Sequence, residues 1–134
     1  MNQYQPWGLL AGRILLAYIF LLSGYGKITS FAGTAGYMAA KMGLAQDSML
    51  INAMLAATIL IELGGGLLIL LGWQARWAAT AIFLFLIPVT AVFHPVWADA
   101  AEFNSFFKNL AIMGGLLYIA AFGPGAYSLG KDKC

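Results

Sequence analysis

Charge is what this sequence has least of. Asp, Glu, Lys and Arg make up 9% of its 134 residues, against about 25% in an ordinary globular domain. Cysteine is almost missing too: Cys134, the last residue, is the single one. An intrachain disulfide, a dithiol redox pair and a thiolate-held metal within one chain are thereby excluded. His94 is the only histidine. One imidazole falls short of a transition-metal site and leaves haem with a single strong axial ligand. No metal and no covalently bound cofactor are expected. There is no run of Lys or Arg and the net charge is only +2, so nucleic acid is not an expected partner. No nucleotide fingerprint appears, because Gly64-Gly65-Gly66 lies inside an apolar run where it packs helices rather than cradling phosphate. The first residues, Met1 to Trp7, carry no Lys or Arg. They lack the charged region of a secretory signal, so the first apolar run is expected to be retained.

What fills the chain instead is apolar: 62% of residues are hydrophobic, against about 45–50% in soluble domains. They fall into four runs, about 7–28, 49–71, 75–93 and 106–122. Each approaches or exceeds the roughly 20 residues that cross a bilayer. The expected fold is all-α, one membrane-spanning four-helix bundle in a single domain, with the lipid bilayer as its first partner. Pro6 suits a first helical turn, and Trp7 suits a membrane interface. The segment from Thr29 to Ser48 is too polar to span. A short interfacial or re-entrant helix is expected there, over about Gly33 to Met42. Pro88 should kink the third span or free a carbonyl. Val96 to Ser105 reads as a loop. Gly123-Pro124-Gly125 stops the last span, and the tail to Cys134 reads as polar and mobile. Four spans put both termini on one side, with Arg13, Arg76, Lys131 and Lys133. Lys27, Lys41 and Lys108 lie on the other. The excess predicts cytoplasmic termini.

Glu62 stands alone in the second run. A carboxylate at such a depth costs about 3 kcal/mol on insertion scales, so a cation, a proton or a wet cavity must offset it. That makes Glu62 the candidate proton-exchanging group. Arg13, one to two turns into the first span, is its candidate partner. The plainer alternative has Arg13 snorkelling to lipid phosphates and Glu62 simply protonated. At the opposite membrane face the topology gathers Lys27, His94, Lys108 and Asn109. Such a set can bind an anion, polarise a quinone carbonyl or relay a proton; it can equally be an ordinary interfacial collar. Phe83, Phe85, Phe93, Phe103, Phe106 and Phe107 could line a flat apolar pocket, or face lipid and core. Gly64, Gly65, Gly66, Gly114 and Gly115 permit close helix approach.

The pieces recur in a recognisable order. Arg13 opens span 1, and F-L-L-S-G-Y-G-K-I follows at Phe20 to Ile28. E-L-G-G-G-L-L-I-L-L-G-W runs from Glu62 to Trp73, with Arg76 close behind. His94 ends span 3, K-N-L-A-I-M-G-G-L-L covers Lys108 to Leu117, and G-P-G-A-Y-S-L covers Gly123 to Leu129. The chain resembles the DoxX family of small bacterial membrane proteins from about Gly12 to Leu129. The resemblance implies a four-helix bundle in the bacterial inner membrane. The family takes its name from a membrane subunit associated with thiosulfate:quinone oxidoreductase, which points to redox or oxidative-stress systems. The leading expectation is therefore a membrane subunit that binds quinone between its helices and receives electrons from a soluble or membrane redox partner. One rival is a small proton-coupled transporter component, homo-oligomeric through its glycine faces. Another is a non-catalytic scaffold that recruits a soluble enzyme through Asp99, Glu102 and the tail from Gly130 to Cys134.

Overall fold

Length and hydropathy decide the architecture. The computed structural model describes residues 2–130; Lys131, Lys133 and Cys134, and the charges and thiol expected there, lie outside the described residues. The helices are α1 (Gln5–Thr29), α2 (Phe31–Met42), α3 (Met49–Leu71), α4 (Ala75–Phe93) and α5 (Phe103–Phe122), with a short 3-10 turn at Ala100–Glu102 before α5. α1, α3 and α4 are long and apolar enough to cross a membrane, and α5 is so together with its preceding turn. α2, with 12 residues, covers only about 18 Å and cannot span. The expected loop from Val96 to Ser105 is therefore shorter than its composition suggested. Asp99 accepts a hydrogen bond from the Ala101 amide at 2.9 Å, and that turn starts α5 early.

Local signals set the helix ends. Ser48 caps α3 by accepting from the Ile51 amide at 3.3 Å. Gly72 ends α3 at a φ of 69°, in the left-handed region that glycine occupies without strain. Pro88 sits inside α4, which continues past it to Phe93.

The four spans pack in the order α1–α3–α4–α5, while α1 and α5 touch only sparingly. Phe20, Ile69, Ile82, Leu86 and Leu116 form the centre of the bundle core. A second apolar cluster puts Ala35, Met38 and Ala39 of α2 on Ile51, Leu55 and Ile59 of α3. The spacing of the α2 residues defines one helical face, so α2 lies against α3 as an amphipathic cap.

Glycines govern how closely the spans approach. A Cβ on Gly65 would stand 2.6 Å from Ile82 Cδ1, and one on Gly66 would stand 3.2 Å from Phe20 Cβ. Gly24 likewise admits Leu63 of α3, at 2.6 Å from where its Cβ would be. Gly115 faces Leu16 at an easy 3.5 Å, and Gly64 and Gly114 have nothing within 4 Å. The helix-packing role expected of Gly64 and Gly114 is thus not theirs within this chain. Gly65→Ala is expected to destabilise the bundle by about 1–3 kcal/mol through overpacking. Gly64→Ala, one residue away, should gain up to about 1 kcal/mol of helix propensity. Thermal unfolding in detergent checks both; equal midpoints would mean that α3 and α4 are not held at this distance.

The expectation of a mobile tail fails for residues 123–130. The Leu129 amide donates to Leu71 O at 3.0 Å and the Gly130 amide to Gly72 O at 3.1 Å. The Tyr127 ring lies 4.8 Å from that of Trp7. The segment folds back under the bundle, so the described ends of the chain meet at one face.

Candidate functional site

Glu62 is buried, with 7% of its surface exposed, and it is paired. Lys27 Nζ lies 3.1 Å from Oε1 and 3.0 Å from Oε2, and donates a third bond to Ser23 Oγ at 2.6 Å. Ser23 and Lys27 are four residues apart on α1 and so share a face. The partner of Glu62 is therefore Lys27 rather than Arg13. Antiparallel packing explains why. Gly24 stands opposite Leu63, whereas Arg13 stands opposite Leu70. Those seven residues along α3 put Arg13 about 10.5 Å further from Glu62 than Gly24 is. Lys27, one turn beyond Gly24, needs only to reach back.

Arg13 has another use. It is 4% exposed and all three of its side-chain nitrogens bond to carbonyls. Nε donates to Leu70 O at 3.2 Å, Nη1 to Pro124 O at 2.6 Å and Nη2 to Tyr127 O at 2.6 Å. Leu70 belongs to the last turn of α3, where carbonyls lack helical partners and the helix dipole favours a cation. One side chain thus satisfies a helix end and fastens the returning tail.

The four residues expected at a common polar mouth do not share one. His94 Nδ1 lies 2.7 Å from Glu102 Oε2, and Lys41 Nζ lies 3.5 Å from Oε1 of the same carboxylate. This cluster ties α2 to the α4–α5 connection. Asn109, 7% exposed, donates to Thr90 Oγ1 at 3.1 Å, one turn of α4 below His94. Lys27 is held by Glu62. Lys108 is exposed and faces the α1 side. Sequence reasoning missed Ser23, Lys41 and Thr90 as partners. The four-residue spacing of Ser23 from Lys27 was the signal available for that pair. The expected aromatic pocket does not form either. Phe103 and Phe107 pack on each other at 4.6 Å, and Phe106 meets Phe107 at 5.2 Å and Trp97 at 5.8 Å. Phe83 and Phe85 fill the edge of the core, and Phe93 stacks on Tyr37 at 5.9 Å.

The open space lies elsewhere, along the sparse α1–α5 seam. One cavity of about 560 Å³ sits at the end that carries the chain's N-terminus, against Leu9, Phe122, Pro124 and Gly125. A second, also about 560 Å³, runs past Gly12, Leu16, Ile112 and Gly115 to Lys108. They share Leu9, Arg13, Tyr118 and Ile119, and so make one groove on the lipid-facing side. Small residues leave the room: a Cβ on Gly8 or Gly12 would meet nothing within 4 Å. Neither Glu62 nor Lys27 lines it. Among the described residues, Lys108 is the one basic side chain with no hydrogen bond or ion pair inside the chain. Also among the described residues, no three His, Cys, Asp or Glu side chains cluster as metal ligands would.

Comparison with known proteins bears on the whole chain. It is 40% identical to "Inner membrane protein YqjF" of Escherichia coli (strain K12), over 98% of this chain and 95% of that protein. It is 33% identical to "Inner membrane protein YphA" of the same organism, over 95% and 91% respectively. A "Surfeit locus protein 4 homolog" of Schizosaccharomyces pombe is 25% identical over 92% of this chain but only 37% of its own length. No solved structure matches. The DoxX family pattern matches residues 8–95, a stretch that contains Arg13, Lys27, Glu62, the glycine contacts of α3 and His94. With four spans and that match, the chain belongs to the DoxX family.

Proposed function

We propose that this DoxX-family protein is a membrane subunit of a quinone-linked redox system, and that it takes a quinone-like apolar carbonyl compound from the bilayer into the α1–α5 groove. The observation that carries the reading is the pairing of that lipid-facing groove with Lys108, the described cation left free beside it. A quinone dissolves in hydrocarbon and asks of a protein an apolar slot and a donor for its carbonyl oxygen. An ammonium at the end of the groove is such a donor, and its charge favours the reduced ligand, whose oxygens carry more negative charge. The chain's residues supply no redox group, so electrons come from a partner protein. The names of the bacterial relatives support an inner-membrane location, and the Lys and Arg distribution supports cytoplasmic termini. In this reading Lys27–Glu62, outside the groove, holds α1 to α3, and the ligand's polar contact falls to Lys108 alone among the four expected residues.

Quinone retained by protein purified in nanodiscs that contain ubiquinone tests this. The wild type should retain it. Lys108→Met should lower retention about tenfold, equivalent to about 1.4 kcal/mol. Gly12→Leu, whose Cβ would meet nothing within 4 Å, puts an isobutyl group in the groove and should abolish it. No retention by the wild type, or equal retention by all three, would end the reading.

A further inference from the structure

Arg13 carries a charge that nothing described in the chain answers. A guanidinium has five N–H donors. Carbonyls of Leu70, Pro124 and Tyr127 take three of them, and two are left over. No carboxylate among the described residues reaches the group. Glu62 holds Lys27, Glu102 holds His94 and Lys41, and Asp47 and Asp99 belong to the connections at the opposite face. A cation that is 4% exposed and has no anion beside it is costly to bury. Yet Arg13 lines the cavity of about 560 Å³ under the 123–126 turn, so there is room for an anion to reach it. The surroundings favour one. Arg76 Nη1 donates to Ala121 O at 3.0 Å, three residues before Pro124, and brings a second guanidinium to the end of α5. Gln5 and Pro6, in the first turn of α1, line the same cavity, and the positive end of a helix dipole adds to the field.

Depth decides which anion. Through Leu70 O and Pro124 O, Arg13 is level with the ends of α3 and α5. α1 begins eight residues earlier, at Gln5, and so runs on about 12 Å beyond them. Trp7 and Tyr127, with rings 4.8 Å apart and both exposed, mark this level as the membrane interface. The cavity therefore opens where phospholipid headgroups lie, and Leu9, Ile119 and Phe122 give it an apolar wall on the hydrocarbon side. We infer that the cavity under the 123–126 turn is a site for an anionic phospholipid of the leaflet on the N-terminal side, with its phosphate on the two spare N–H groups of Arg13. The site prefers a headgroup of net negative charge. A zwitterionic lipid brings the same phosphate, but its own ammonium cancels the field that the two arginines supply. The lipid also binds only while the tail is docked, because Arg13 and the turn form the site together. It thus completes the clasp that Arg13 begins. This site stands apart from the reading of the Lys108 end as a quinone site.

Lipid retention tests the site. The full-length protein is reconstituted in nanodiscs of phosphatidylglycerol and phosphatidylethanolamine in equal parts, released into mild detergent and weighed by native mass spectrometry. The wild type should retain phosphatidylglycerol at least about tenfold over phosphatidylethanolamine, equivalent to about 1.4 kcal/mol. Gln5→Glu puts a carboxylate at the exposed rim of the cavity, in a first helical turn that favours an acid, so folding is not at risk. It should bring the preference down to about threefold or less, and Gln5→Lys should hold or raise it. A photoreactive phosphatidylglycerol should label 5–9 and 118–126 ahead of the exposed Leu60 and Leu84. Amide exchange at Leu129 and Gly130, which dock the tail, should slow about tenfold in phosphatidylglycerol over phosphatidylethanolamine, since the lipid binds only the docked form. The Trp73 amide, bonded to Leu68 O at the same face, controls for surface charge and should change far less. Equal retention of the two lipids, a preference untouched by Gln5→Glu, or labels gathered around Lys108 instead would each overturn the site. Displacement of the lipid by millimolar inorganic phosphate would show a pocket for the bare ion and would overturn the lipid assignment.

Discussion

Lys27→Met is expected to lower the stability of the bundle by about 3–5 kcal/mol, the cost of leaving one member of a buried ion pair alone. Glu62 of α3 faces α1, and among the described residues nothing but Lys27 donates to its oxygens. With the ammonium gone, the carboxylate must stay bare in the bundle or take up a proton. The reverse change should be milder. The Lys27 side chain is 24% exposed and sits in the last turn of α1, so without Glu62 it can extend to the headgroup region. Glu62→Gln should cost about 1–2 kcal/mol, near the value of the hydrogen bonds to a charged group that it weakens. The double change Lys27→Met with Glu62→Met should fall well below the sum of the singles, because the desolvation cost leaves with the charges. Unfolding in detergent titrated with dodecyl sulfate, over this four-protein cycle, measures the coupling. A Lys27→Met cost under about 1 kcal/mol, with additive changes, would show that the two groups do not interact as ions.

That pair also shows how far the sequence could be read. A carboxylate in a 23-residue apolar helix announces that something must answer it, because the bilayer supplies nothing that can. Which cation answers depends on register between two helices. Register is set by side-chain fit, here Gly24 against Leu63 and Gly66 against Phe20 and Leu21, and a hydrophobic count is blind to it. The spans themselves were legible because twenty apolar residues have few other solutions. The split of Lys27, His94, Lys108 and Asn109 among separate partners was not legible. Topology puts them at one end of the bundle, but the rotation of each helix decides which neighbour each meets. His94 and Asn109 turn toward the α4–α5 seam and Lys108 turns toward α1. The groove was hidden for a related reason: it depends on the absence of contact between α1 and α5, and Gly8 and Gly12 read equally well as packing residues or as empty space.

Arg13 was singled out correctly as a polar residue in need of a partner, yet its partners are backbone carbonyls, which every residue carries and no sequence pattern marks. The prediction that follows is the largest after the ion pair. Arg13→Leu should cost about 4 kcal/mol or more, since charge-assisted hydrogen bonds are worth about 1.5–3 kcal/mol each and three carbonyls lose theirs. Arg13→Lys keeps the charge but not the planar fork that reaches Leu70, Pro124 and Tyr127 together, and should recover less than half of the loss. The effect should be local before it is global. Amide exchange at Leu129 and Gly130, which bond to Leu71 O and Gly72 O, should speed up by at least about 100-fold in Arg13→Leu, equivalent to about 2.7 kcal/mol of lost protection. Core amides of α3, such as that of Leu55, should change far less. Unchanged protection at Leu129 and Gly130 would show that the tail is held by its own backbone bonds and by Tyr127 on Trp7. Release of the tail would have a further consequence, because the 123–126 turn closes the far end of the α1–α5 groove. Arg13, which also lines the groove, would then set the depth at which the groove ends.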